Sequence, residues 1–243
     1  MPAETAHGCR EFCFHRGELV AKNQKPLLPF QVQRTINNFY AKPIKEHSLH
    51  VPSHHTDIRV IKAFDGELIT QEIDEKPKVI EDLIVSDISR DILKIVVVDR
   101  YHPQSPISID FIEGFGLTQG AIASTIAHDS HNIIAVGVSD EAISQAINLL
   151  TQSKGGISAV YGKHQELLPL EIAGLMSQQE GWQIAQAYES LDRIAKEPMG
   201  SPLHAPYMTL SFMALLVIPE LKISDKGLFD GEHFRFVSLY QGE

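Results

Sequence analysis

The sequence predicts an α+β fold: a mostly antiparallel or mixed β-sheet with two main helices packed on one side of it, plus a small N-terminal β segment. Three observations carry this. Short β-branched or alternating runs fill the middle of the chain, two amphipathic helical stretches lie well apart, and Asp-Gly and Gly-rich punctuation separates the runs. The 243 residues suit one large domain or two small ones, whereas a (β/α)₈ barrel of about 250 residues would fill the whole length. The expected division is a small β segment and linker over 1–45 and an α+β domain over 46–243.

In chain order, Glu11–His15 and Glu18–Ala21 form a hairpin about Arg16-Gly17, with Asn23 in a second turn and Pro26 and Pro29 stiffening the link that follows. Residues 31–57 are polar and His-rich, which predicts a linker or peripheral excursion. Ile58–Phe64 is a strand, Asp65-Gly66 a turn and Leu68–Ile73 the return. Ile92–Val98 is a β-branched run suited to a buried strand. Ile107–Glu113 alternates, so one face is expected apolar and the other polar. Ile122–Ile126 and Ile133–Val138 are two more strands.

The first helix is expected over Asp140–Ser153. Ile143, Ala146, Ile147 and Leu150 share one face, Ser139 or Asp140 caps the start, and Lys154-Gly155-Gly156 closes the end. Ile157–Tyr161 and Leu167–Leu170 are strand-like. The second helix is expected over Gln178–Lys196, opened by a Ser177/Glu180 capping box and stopped by Pro198, with Trp182 as packing. The apolar stretch Tyr207–Ile218 reads equally as helix or strand, in core or interface, and Phe234–Leu239 is a final strand.

Composition narrows the function. The chain carries 21 Lys+Arg against 31 Asp+Glu, a net charge of −10, with no basic run of four residues, which argues against nucleic acid as partner. No apolar run reaches the 18 or so residues of a membrane span and the N-terminus has no signal-like apolar core, so the expected location is cytoplasmic. Cys9 and Cys13 are read as exposed reduced thiols rather than a disulfide staple. Protonating all 12 histidines would take the charge from −10 to +2, making solubility sensitive near pH 6.

The chemistry concentrates in EGFGLTQGAIASTIAHDSHNIIAVG, Glu113 to Gly137. Between two expected strands, His128-Asp129-Ser130-His131-Asn132 forms a turn at the sheet edge. Such a turn can ligate a divalent metal, position a general acid or base, or hydrogen-bond a heterocycle; it can also be a polar turn whose Asp and Asn serve backbone geometry. His47, His50, His54 and His55 have helical spacings, but Pro43 and Pro52 favour a solvated loop. His164-Gln165-Glu166 matches the H-x-E of zinc nucleobase deaminases, yet the P-C-x-x-C that would supply the other ligands is absent. No phosphate loop and no nucleophile elbow occurs.

GFGLTQGAIASTIAHDSHNIIAVGVSDEAISQAIN resembles the C-terminal part of microbial adenine deaminases of the amidohydrolase type. LLPLEIAGLMS, YMTLSFMALLVIPELKISDKGLFD, ILKIVVVDRY and FCFHRGELVAKNQKPLL extend the resemblance over roughly residues 12–240. It implies a hydrolase of purine metabolism: adenine + water → hypoxanthine + ammonia, by metal-activated attack on C6. The family's metal ligands belong to a barrel marked by an H-x-H pair, and no H-x-H occurs here. The resemblance therefore implies an amidohydrolase-associated domain whose partners are a purine base and a separate amidohydrolase barrel chain, in a homo-oligomer. The alternative is a non-catalytic module for purine or metal binding or for oligomerisation. Carried onto this sequence, the motif makes His128 and Asp129 candidate catalytic residues and Ser124, Ser130, Asn132 and Gly116 candidate substrate contacts. His128, His131 and Asp129 are candidate ligands of a Mn, Fe or Zn ion.

Overall fold

The computed structural model describes residues 11–23, 25–28, 35–54, 56–102, 104 and 107–242. Cys9, Pro29 and His55 lie outside them. Two compact units divide after residue 34, so residues 35–45, expected as linker, lie with the second unit. The first unit is the expected hairpin and a short third strand: β1 (Phe12–His15), β2 (Glu18–Lys22) and β3 (Lys25–Pro26), antiparallel throughout. Cys13 is exposed on β1.

The second unit opens with an irregular stretch, a 3₁₀ turn at Glu46–Leu49 and β4 (Val51–Pro52). There follow β5 (Ile58–Lys62), β6 (Gln71–Glu75), β7 (Lys78–Ile80) and β8 (Leu83–Val85). Next come β9 (Leu93–Val98), β10 (Ile107–Glu113), β11 (Ala121–Ser124), β12 (Ile133–Gly137), α1 (Asp140–Ser153), β13 (Gly156–Tyr161) and β14 (His164–Pro169). The chain finishes with α2 (Gly181–Lys196), α3 (Pro206–Phe212), β15 (Leu221–Ser224), β16 (Gly227–Asp230) and β17 (Arg235–Val237). Eight strands make one sheet in the order β14-β13-β11-β12-β9-β10-β5-β6, antiparallel except where β10 meets β5. The fold is α+β. No helix of the described residues is long and apolar enough to cross a membrane.

The helices do not share one side. In β9, Val96 and Val98 pack with Ile143, Ile147 and Leu150 of α1, while Ile95 and Val97 pack with Leu191 of α2 and Leu210 of α3. Every position of β9 and β12 is buried. A strand apolar on both faces needs cover on both. Lys94 is the exception within β9, and its ammonium donates to Asp140 at the start of α1 and to the Leu49 carbonyl.

Local rules explain α1 and fail at α2. Ser139 accepts from the Ala142 N–H at 3.2 Å, and the helix closes with Lys154 in the left-handed region at φ 59°. The Ser177/Glu180 box does not form. Ser177 instead bonds the Glu171 carboxylate, which also takes the Gln178 N–H, and the helix begins at Gly181. Trp182, off the buried Leu191 and Ala195 stripe, is 60% exposed rather than packed.

Two further expectations are corrected. The stretch read as peripheral is anchored: Ile44 N–H donates to Asn148 Oδ1, Asn148 Nδ2 donates back to the Ile44 carbonyl, and Leu49 is fully buried. The polar face of β10 is not solvated. Ser108 and Asp110 point with Ile112 to the α2/α3 side, where the β15–β16 hairpin covers them.

Candidate functional site

The turn between β11 and β12 is built from both ends. Ser124, the last residue of β11, is buried and its hydroxyl accepts the Ile126 N–H at 2.9 Å. Thr125 donates to the Gly174 carbonyl at 2.6 Å. His128 N–H reaches the Ser211 carbonyl on α3 at 3.1 Å, and the His128 ring stacks on Phe212 with centroids 4.9 Å apart. The His128–Asp129 peptide is cis. Asp129 and Ser130 are exposed; Asn132 is buried.

His131 turns inward. Its backbone sits at φ 51°, its N–H bonds the Ala127 carbonyl, and its Nδ1 is buried without a partner among the described residues. Burial, then the neighbouring His128 and Arg100, hold the imidazole pKa below its ordinary value, favouring the neutral ring.

Arg100, two residues past the expected strand Ile92–Val98, holds this half of the turn. It is 2% exposed. Its Nε donates to the His131 carbonyl, its Nη2 to the Ala173 carbonyl at 2.7 Å and to Tyr101 Oη at 2.9 Å, and its backbone N–H to Asn132 Oδ1 at 3.3 Å. All of these acceptors are neutral. Sequence reasoning gave Arg100 no role; the Asp99-Arg100 charge pair just after an apolar strand was the available signal.

On the solvent side, Asp129 and Ser130 border a cleft of about 450 Å³ lined by Leu216, Val217, Phe229, Phe234 and Phe236. Phe229 meets Phe234 and Phe236 edge-on at 5.1 Å. The β15–β16 hairpin that supplies Phe229 went unread, although Ser224-Asp225-Lys226-Gly227 between two apolar pairs is a turn signal.

The structure therefore brings His128, Asp129, Ser130, His131 and Asn132 into one turn, with Ser124 at the β11 end that leads into it. It does not bring Gly116 there. Ile133 pairs with Val98 and Val98 with Ile107 at the turn's end of the sheet, whereas Leu93 pairs with Ile112 at the far end, beyond which Gly116 lies. The two sites are separated by the length of the strands, about 17 Å for five residues. Gly116 N–H donates to the Asp91 carboxylate at 2.7 Å, its φ is 62°, and an added Cβ would lie 2.3 Å from Pro202 Cδ. Gly116→Ala should therefore cost about 2–4 kcal/mol of stability with no ligand present, since it combines a left-handed alanine with a backbone-adjacent clash. Urea unfolding measures this. A variant as stable as the parent would return Gly116 to the list of pure ligand contacts.

The expected metal set is not assembled either. Among the described residues, no three His, Cys, Asp or Glu side chains come together. His128 lies on Phe212, Asp129 points to solvent and His131 faces inward, with the two imidazole centroids 5.8 Å apart. A catalytic ion needs about three protein ligands and an open position. These residues do not fit one by themselves.

A largely antiparallel α+β domain, its main sheet covered on both faces, thus presents an imidazole-bearing turn beside an aromatic cleft. The chain belongs to the adenine deaminase C-terminal domain family, whose model matches residues 67–235. It is 50% identical over 222 residues to an adenine deaminase of Sulfurovum sp. (strain NBC37-1), a match covering 91% of this chain and 40% of the relative. The corresponding figures are 48% over 242 residues for the adenine deaminase of Methanosarcina acetivorans, covering 95% and 43%. For that of Salinibacter ruber they are 42% over 224 residues, covering 92% and 41%. The chain spans about two fifths of the length of these curated relatives.

Proposed function

We propose that this domain serves the hydrolytic deamination of adenine to hypoxanthine and does so only together with the segment that its relatives carry ahead of it. The observation that carries the reading is the Asp129-Ser130 edge of the turn against the phenylalanine cleft. A flat heterocycle stacks on such rings. The Asp129 carboxylate can accept from an exocyclic amine, and Ser130 can donate to or accept from a ring nitrogen. Water adds at C6 and the amine leaves as ammonia, so the atoms balance without a further reactant. A divalent Mn, Fe or Zn ion would supply the activated water, and its ligands are assigned to the preceding segment because the turn offers no complete set. The other reading, a purine-binding or oligomerisation module with no chemistry of its own, is favoured by that same missing ligand set.

The test is ammonia release from adenine. The chain alone, with Mn²⁺, Fe²⁺ or Zn²⁺, should give background rates. A chimera in which this chain replaces the matching portion of the Sulfurovum relative should turn over, and Asp129→Ala in the chimera should lower kcat/KM by at least tenfold. A folded chimera that releases no ammonia while binding adenine would favour the module.

A further inference from the structure

Large apolar side chains collect on one face of the second unit. Val217 is 61% exposed, Phe234 69% and Phe236 48%, and all three ring the cleft beside Asp129 and Ser130. Beyond Phe212, on which His128 stacks, Leu68 and Met208 are also exposed and line a second hollow of about 100 Å³. Single exposed apolar residues are ordinary; two apolar hollows linked through the His128–Phe212 stack mark a surface that is covered in use. Aromatic side chains are the residue type that interface cores favour.

We propose that this face, α3 with the β15–β16–β17 sheet, is the seat of the segment that the relatives carry ahead of this domain, so that His128, Asp129 and Ser130 lie at the seam. The inference rests on the functional reading above and adds the place of contact. The occupant follows from two observations. About three fifths of the Sulfurovum relative lies outside the match, and the family description places the matched part C-terminal, so a large segment precedes this domain in those enzymes. The turn on this same face is also chemically unfinished. It holds two imidazoles and an outward carboxylate that do not converge on one point, and no further group among the described residues completes them. A second copy of this domain would bring the same incomplete set.

Hydroxyl-radical footprinting of the chimera against the chain alone tests the seat. Modification of Val217, Phe234 and Phe236 should fall at least fivefold in the chimera, while Trp182, exposed on α2, keeps its rate. A parallel test co-expresses this chain with the preceding portion of the Sulfurovum relative as two chains. Sedimentation should show a heterodimer that Val217→Asp/Phe234→Asp/Phe236→Asp weakens at least tenfold and Trp182→Asp does not. All four positions are exposed, and circular dichroism checks that each variant folds. Unchanged footprints at the three residues would overturn the proposal. So would protection at Trp182 instead, absence of any heterodimer, or self-association of this chain that the triple variant abolishes. Ammonia release is read separately. A protected face in a chimera that does not deaminate adenine leaves the seat standing and removes the functional reading, and turnover with an unprotected face does the reverse.

Discussion

Replacing Asp110 by asparagine is expected to stabilise the folded chain at pH 7 by about 3–4 kcal/mol and to leave it unchanged near pH 4. Asp110 is 4% exposed, on the covered face of β10, and makes no hydrogen bond or ion pair with the described residues. Burial alone pushes its pKa up to about 7 from an ordinary 3.8. Between those values the folded chain holds a proton that the unfolded chain has released. Stability therefore falls as pH rises through this window, by about 1.4 kcal/mol per unit at most. Asparagine mimics the neutral acid in shape and carries no charge to desolvate, so the gap between variant and parent should open steadily from pH 4 to pH 7. Urea unfolding of both proteins at pH 4, 5.5 and 7 measures it, and parallel stability curves would show that Asp110 has a partner or water access after all.

Asp110 also shows where sequence reading succeeds and where it stops. The alternation of Ile107–Glu113 identified the strand to the residue, but assigned its polar set to solvent because the hairpin that covers it, more than a hundred residues later, left no mark in that stretch. Local chemistry was enough for α1, where a single stripe and a serine cap fix both ends. It was not enough for the hairpin β7–β8, whose turn places Glu81 and Asp82 at φ 50° and 60° without the Asn-Gly that normally announces such geometry. The turn at 128–132 was legible because polar residues between two apolar strands must lie at a sheet edge. What its side chains face was not. The His131 carbonyl is held by Arg100, 31 residues upstream, and Gly116, only twelve residues before His128, lies at the other end of the sheet because strand order, not sequence distance, decides neighbours.

The inward half of the turn should consequently depend on the Arg100 side chain more than on any residue within the turn. Arg100→Met keeps the stem and the backbone N–H to Asn132 but removes the donors to the His131 and Ala173 carbonyls. Each of these part-buried carbonyls left unpaired costs about 1–3 kcal/mol, and removing a buried charge that has no carboxylate partner among the described residues gives part of that back. The expected loss is about 3 kcal/mol by urea unfolding. Gly174→Ala attacks the same contact from the other side, since at φ 69° an added Cβ would lie 2.7 Å from Arg100 Nη1. Two readouts separate a hold on the turn from general destabilisation. Hydrogen exchange in Arg100→Met should accelerate over 128–132 and stay unchanged in α1, which Arg100 does not touch. The His131 pKa should rise, because the guanidinium is one of the charges now holding it down. An Arg100→Met protein within 1 kcal/mol of the parent, with His131 titrating as before, would mean that the strands alone fix the turn and that its inward imidazole is set by β12 rather than by the buried cation.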